Sequence, residues 1–199
     1  MIKTQYQSLI HSGKLQADAL QESVCARLDI LRQQLVQSAH PQSVYIYGPV
    51  GRGKSMLMDL FYRSLAVPSK IRLHYHHFMK RIHDQLNQHQ GEADPLLTIA
   101  DAWAREYRVI CLDEFIVEDI GDAMLLANLW QALFSHGVTL VTTSNTPPSE
   151  LYRGGLARHR FEPFIQLLER QCQIIDLDSG IDYRRLKQGE APYYFIEQS

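Results

Sequence analysis

The sequence predicts an α/β fold: three layers, with a five-stranded parallel sheet between helices on both faces. Three observations predict it. Short β-branched and aromatic runs alternate with helical stretches along most of the chain, the pattern of strand–helix–strand units. The runs Val109-Ile110-Cys111-Leu112 and Thr139-Leu140-Val141-Thr142-Thr143 lack polar alternation, as strands covered on both faces do. Between the first strand and the helix after it lies a glycine-rich segment, 48–55, that ends in Lys-Ser.

The elements follow in order. Over 18–38 the apolar residues Leu20, Val24, Leu28, Leu31 and Leu35 recur at spacings of three and four, one face of a helix with Asp18 as its N-cap. After Ala39-His40-Pro41, the run Ser43-Val44-Tyr45-Ile46-Tyr47 reads as a strand, and the helix that follows the glycine-rich segment stops near Pro68. Further strands are expected near 71–76, 107–112, 138–143 and 172–176. Helices are expected near 78–88, 96–105, 121–135 and 162–171, with 89–95 a polar loop. No repeat or low-complexity segment is present. The organisation read from this is a helical lead-in over 1–40, a core over 41–185 and a tail over 186–199.

Composition bounds the function. With 45% hydrophobic residues and a net charge of −2, the chain can bury a sizeable core, which excludes a disordered tail, a fibre and a supercharged nucleic-acid arm. No basic stripe interleaved with aromatics appears, so nothing reads nucleic acid directly. No apolar run approaches the ~20 residues of a membrane helix. The N-terminal stretch MIKTQYQSLIHSGK has no apolar core and the first arginine is Arg27, so no secretory or mitochondrial leader is expected. Cys25, Cys111 and Cys172 are odd in number and sit in apolar stretches, as buried thiols of a reducing compartment do. The expectation is a cytoplasmic globular protein.

The segment Gly48-Pro49-Val50-Gly51-Arg52-Gly53-Lys54-Ser55 fits G-x-x-x-x-G-K-[ST] with a strand before it and a helix after. Glycines let backbone N–H groups turn inward around phosphate oxygens, and the following helix aims its positive end at them. In such a P-loop, Lys54 reaches the β- and γ-phosphates and the Ser55 hydroxyl ligates Mg²⁺. A second buried strand ends in Asp113-Glu114: Asp113 would hold the metal through water, and Glu114 would polarise an attacking water. The strand near 138–143 ends in Ser144-Asn145. Asn145, with Thr143 behind it, either helps position that water or simply starts the turn before Pro147-Pro148. Arg153, Arg158 and Arg160 either serve a neighbouring subunit's γ-phosphate or are ordinary surface residues.

Other features carry two readings each. His74, His76, His77 and His83 cluster, and on a strand His74 and His76 would share a face, a thinkable metal site. Phe78-Met79 stands either where a pore loop would grip a threaded chain or on a helix packed against the sheet. Asp119 and Asp122 either face a neighbour or begin a helix.

Together the stretches GPVGRGKSMLMDLFY, RLHYHHFMKRIHDQL, DEFIVEDIGDAML, VTLVTTSNTPPSELY and GLARHRFEPFI closely resemble the ZapE family of AAA+ ATPases, whose mitochondrial relatives are the lactation-elevated-type ATPases. The likeness runs from about Tyr6 to Tyr183. It implies a P-loop fold of the additional-strand type and ATP hydrolysis by a ring-forming, motor-like domain. It also implies a bacterial cytoplasmic protein that acts on the tubulin-like protein FtsZ at the division site. By position, Gly48, Gly51, Gly53, Lys54 and Ser55 match Walker A, and Asp113 with Glu114 match Walker B. Asn145 matches sensor one, and Arg158 or Arg160 the arginine-finger region. The candidate nucleotide-binding set is Gly48, Pro49, Val50, Gly51, Arg52, Gly53, Lys54, Ser55 and Met56; the metal set is Ser55 and Asp113. Family members continue past the equivalent of Tyr183-Arg184-Arg185 into a helical lid, whereas this chain ends at Ser199. The alternatives are a helicase-loader-like, DNA-associated ATPase and a nucleotide-switched binding module with little turnover.

Overall fold

Asp18 opens a long helix as its position predicts. Its Oδ1 accepts from the Leu20 and Gln21 amides at 2.9 and 3.1 Å, satisfying two of the donors that a helix start leaves unpaired. The computed structural model describes residues 1–37 and 40–178; the core boundary expected at 185 and the tail expected over 186–199 lie outside the described residues. The helix is α2 (Ala19–Val36), and a shorter one, α1 (Ile2–His11), precedes it. Asp29 of α2 receives the backbone N–H groups of Ile2 and Lys3 at 2.9 and 3.0 Å, so one carboxylate caps α1 from across the helix pair. Those two bonds and Arg32 hold the Asp29 carboxyl below its usual range, against the opposing effect of its burial.

Next come β1 (Ser43–Tyr47), α3 (Lys54–Ser64), β2 (Lys70–His74), α4 (Tyr75–Gln88) and α5 (Pro95–Glu106). They are followed by β3 (Val109–Asp113), α6 (Ile120–Ser135), β4 (Thr139–Ser144), α7 (Glu162–Gln171) and β5 (Cys172–Asp176). All the strand pairs are parallel, in the order β2-β3-β4-β1-β5. The period-2 geometry of a strand divides its side chains between two cores. Tyr45, Tyr47, Ile110, Leu112, Leu140 and Ile174 join the core under α4 to α7. Val44, Ile46, Val109, Cys111, Val141 and Ile175 join the one under α1 to α3. Both faces are covered, which is why β1, β3 and β4 carry no exposed position. Ile2 and Tyr6 of α1 belong to the second core, so the N-terminal helices are built into the sheet's packing.

Most elements fall where expected, α7 and β5 to the residue. The correction concerns β2. It ends at His74 and α4 begins at Tyr75, whereas the strand was expected to reach 76 and the helix to begin at 78. His76 therefore lies on the first turn of a helix and shares no strand face with His74, and the strand-face metal reading fails. Phe78 and Met79 are buried on α4, with Phe78 edge-on to Trp103 at 5.2 Å between ring centroids. They are core residues and not a pore loop. Asp119 caps α6 by accepting from the Gly121 and Asp122 amides. The three cysteines are buried and form no disulfide among the described residues, and burial first, with Asp29 beside it, pushes the Cys25 thiol up to about 12. No helix among the described residues is long and apolar enough to cross a membrane.

Candidate active site

Because every strand runs the same way, the carboxyl ends of β1, β2, β3 and β4 meet at one edge of the sheet, where ligands of open α/β folds bind. The loop after β1 turns there into α3. Gly53 sits at the N-cap with φ +85°, a backbone state that side chains rarely adopt, and a Cβ on Gly48 would come within 3.1 Å of Leu177 Cβ. The helix behind the loop leaves its first amides without intrahelical acceptors, which suits an anion.

A cavity of about 290 Å³ opens at this edge, lined by loop residues Val50, Gly51, Gly53, Lys54, Ser55 and Met56 and, opposite, by Glu114, Thr143, Ser144 and Asn145. Gly48, Pro49 and Arg52 build the loop without lining the cavity. The Arg52 guanidinium points toward β5 and donates to the Leu177 carbonyl at 3.0 and 3.3 Å. Lys54 Nζ donates to the Gly48 and Pro49 carbonyls at 2.6 and 2.7 Å. Burial lowers the Lys54 pKa from its ordinary value, and the Glu114 carboxylate opposes that shift.

β4 lies between β3 and β1 and fixes the acidic end of β3 through three hydrogen bonds. The Glu114 amide donates to Thr143 Oγ1 at 3.2 Å, the Phe115 amide to the Thr143 carbonyl at 2.7 Å, and the Ser144 hydroxyl to the Phe115 carbonyl at 2.7 Å. These bonds hold Glu114 at φ 56°, in the left-handed region that costs a non-glycine residue roughly 1 kcal/mol or more. A strained glutamate at the tip of a buried strand has its side chain presented at the cavity rather than along the sheet. Asn145 is exposed immediately after β4 and faces the same cavity.

One residue at this edge, Arg72, escaped the sequence reading, and a second, His74, was expected in a different role. Arg72, paired in register with Cys111, donates from Nε to Asp113 Oδ2 at 2.7 Å and from Nη2 to Oδ1 at 3.4 Å. Its Nη1 reaches Asp59 Oδ1 of α3 at 3.1 Å, so one guanidinium ties β2, β3 and α3 together behind the glycine-rich loop. His74, in register with Asp113, brings Nδ1 to 3.6 Å from Glu114 Oε2. No sequence signal marks Arg72, and the histidine cluster that marks His74 does not point to Glu114, since both contacts depend on which strand lies beside β3.

Asp113 is only 6% exposed at its side chain, and losing Arg72 strands its charge. Arg72→Ala is expected to cost about 2 kcal/mol or more, a fall in the thermal midpoint of about 4–8 °C. A melting curve superposing on wild type would show the pair to be dispensable.

The hard-oxygen donors at this edge, the Ser55 hydroxyl and the Asp113 carboxylate, suit Mg²⁺. Arg72 occupies one lone pair on each Asp113 oxygen and leaves others for a water-mediated contact. Among the described residues no group of three or more His, Cys, Asp or Glu gathers to hold a metal by itself. The finger candidates separate. Arg158 donates to Glu162 at 3.0 Å and to the Ser149 carbonyl at 2.6 Å, whereas Arg160 is exposed and its side chain makes no such contact among the described residues.

Known proteins resemble this chain in sequence and in fold. The cell division protein ZapE of Escherichia coli K12 is 44% identical over 207 residues, covering 91% of this chain and 55% of that protein. Lactation elevated protein 1 homolog B of Danio rerio is 44% identical over 171 residues, covering 79% of this chain and 34% of that one. The chain thus spans about half the length of ZapE and a third of the fish protein. Among solved structures, DnaI superposes with a TM-score of 0.59 at 13% identity, over 83% of this chain and 88% of that one. AMPPCP-bound DnaA from Aquifex aeolicus gives a TM-score of 0.59 at 13% identity, over 89% of this chain and 53% of that one. At such identities the likeness shows the fold alone, a parallel sheet with helices on both faces. The family model described as AFG1-like ATPase matches residues 2–199, through the glycine-rich loop, the acidic strand end and the strand between them, and the chain belongs to that family.

Proposed function

We propose that this chain binds ATP with Mg²⁺ and hydrolyses it to drive the remodelling of a protein partner. The observation that carries the reading is the single cavity in which Lys54 and Ser55 of the loop face Glu114 and Asn145 of the opposite strand ends. Lys54 exchanges its two loop carbonyls for β- and γ-phosphate oxygens, and the loop amides and the start of α3 hold the remaining negative charge. Ser55 and, through water, Asp113 are the residues that would hold Mg²⁺, which when bound neutralises charge on the phosphate oxygens. Glu114 takes a proton from a water that Asn145 helps orient. The water oxygen bonds to the γ-phosphorus, the bond from that phosphorus to the bridging oxygen breaks, and ADP leaves with the bond's electron pair.

Arg160 of a neighbouring copy completes the site in a ring, its exposed guanidinium meeting charge that develops on the γ-phosphate. The resemblance to ZapE supports FtsZ as the partner and the bacterial cytoplasm, at the division site, as the place. The likeness to DnaI and DnaA is of fold and adds nothing in favour of DNA.

Equilibrium ATP binding in the presence of Mg²⁺ tests the reading. Wild type is expected to bind one ATP per chain, and Lys54→Ala to bind about 10–100-fold more weakly, the worth of charge-assisted hydrogen bonds to phosphate. Equal affinity in the two proteins would remove the phosphate-loop assignment.

A further inference from the structure

The phosphate loop is gripped from outside the motif. Gln21, buried on the first turn of α2, donates from Nε2 to the backbone carbonyl of Arg52 at 2.9 Å. The contact is close: a Cβ on Gly53 would lie 2.6 Å from that Nε2. The other end of the amide is held too. Tyr6, buried on α1, places its hydroxyl 3.1 Å from Gln21 Oε1 and 3.2 Å from the Asp18 carbonyl, and it accepts the Asp18 amide at 3.1 Å. One hydroxyl proton serves the two acceptors, and the Tyr6 contact to Oε1 fixes which end of the Gln21 amide faces the loop.

The geometry of a peptide unit makes this consequential. In a planar trans peptide the C=O and the N–H point in opposite directions. Drawing the Arg52 carbonyl toward α2 therefore turns the Gly53 N–H away from α2, toward the cavity that Gly53 lines. A glycine at this position gives the chain little resistance of its own to rotation of that peptide, since glycine populates both signs of φ. Something outside the loop has to set the orientation before a ligand arrives.

We propose that Gln21 is a positioning residue that locks the Arg52–Gly53 peptide with its N–H toward the triphosphate, and that Tyr6 holds Gln21 in place for this task. Helix α1 is then a working part of the nucleotide site, although its nearest contribution is two side chains away from it. The inference rests on the reading of 48–55 as the phosphate loop. Removing the donor leaves the peptide free to turn over in the empty protein. The ligand must restore it each time, so the loss falls on affinity and not on the chemical step at saturation.

The test uses the full chain and MgATP, with Gln21→Met, which keeps length and apolar packing but cannot donate, and Tyr6→Phe, which removes only the hydroxyl. Dissociation constants come from titration, kcat and KM from steady-state turnover, and the fold is followed by thermal melting. Gln21→Met is expected to raise Kd and KM about fivefold with kcat within twofold of wild type, and Tyr6→Phe to shift the same two quantities about twofold. Unchanged Kd in Gln21→Met overturns the proposal. So does a drop in kcat or in the melting midpoint with Kd intact, which would mark a purely structural role. Should Gln21→Met not fold, Tyr6→Phe decides by the same two criteria. Lys54→Ala separates the levels: if it and wild type bind alike, the phosphate-loop reading fails and this inference goes with it. If Lys54→Ala is weak while Gln21→Met binds as wild type does, only this inference fails.

Discussion

Glu114→Gln is expected to bind ATP with wild-type affinity and to hydrolyse it at least about a hundredfold more slowly, within the ~10²–10⁴ range of a positioned general base. The substitution preserves size and keeps an oxygen at the cavity, so the geometry of the strand tip should survive. The hydrogen bonds that hold that tip involve backbone atoms of Glu114 and Phe115 with Thr143 and Ser144, and none uses the Glu114 side chain. What the amide loses is the capacity to accept a proton as the water attacks. The loss should therefore appear in kcat, with Kd unmoved. A variant that turns over at the wild-type rate would show that the base lies elsewhere, with His74, 3.6 Å from the Glu114 carboxylate, the next group to examine.

Arg160→Ala is expected to lower the per-subunit rate about 10³-fold at protein concentrations where copies associate, with ATP affinity little changed. The choice between the two arginines rests on what each side chain is already doing. Arg158 spends its guanidinium on Glu162 and the Ser149 carbonyl and pins the 3-10 turn (Arg158–Arg160) to the start of α7. Arg160 stands exposed at the far end of that turn, available to a second copy. Arg158→Ala should therefore lower the melting midpoint more than it lowers saturated turnover. Adding Arg160→Ala to inactive Lys54→Ala gives the complementary check. Mixed with wild type, single Lys54→Ala can still lend its arginine to a neighbour, whereas the double variant cannot. Full activity in Arg160→Ala alone would assign the finger to another residue.

How much of this was legible in the sequence depends on how local each signal is. The glycine-rich loop proposed to hold phosphate stands out within eight residues, because that chemistry needs glycines, lysine and serine at fixed spacing between a strand and a helix. Asp113-Glu114 is nearly as local: an apolar run that ends abruptly in two acids can hardly be anything but a buried strand reaching the edge of its sheet. Helix starts with a side-chain cap were legible for the same reason, as Asp18 and Asp119 show. The start of α4 was not. His74 occupies its N-cap without any side-chain cap bond, and the run Leu73-His74-Tyr75-His76 offers no glycine, proline or capping residue to mark the change of period.

The residues that steady the site were illegible on different grounds. Arg72 acts across 41 positions and Gln21 across 31, distances at which only strand register and helix packing decide who meets whom. Read alone, Arg72 is one more arginine on a strand and Gln21 one more polar residue in a helix. Once β2 is placed beside β3, Arg72 has to lie next to the acidic strand end. Once α2 starts beside the loop, a glutamine three residues past its cap can reach a loop carbonyl. The same reasoning explains why Arg158 and Arg160 could not be told apart beforehand: the difference is Glu162 and Ser149, contacts formed only after the turn has folded onto α7.

The measurement that bears most directly on the whole account is the rate of MgATP hydrolysis per subunit over a wide range of protein concentration, with Glu114→Gln run alongside. The account predicts a wild-type rate that rises with concentration as sites are completed by neighbours, and a Glu114→Gln rate near zero throughout. ATP that binds while the wild-type rate stays flat near zero at every concentration would contradict it, and so would Glu114→Gln keeping pace with wild type.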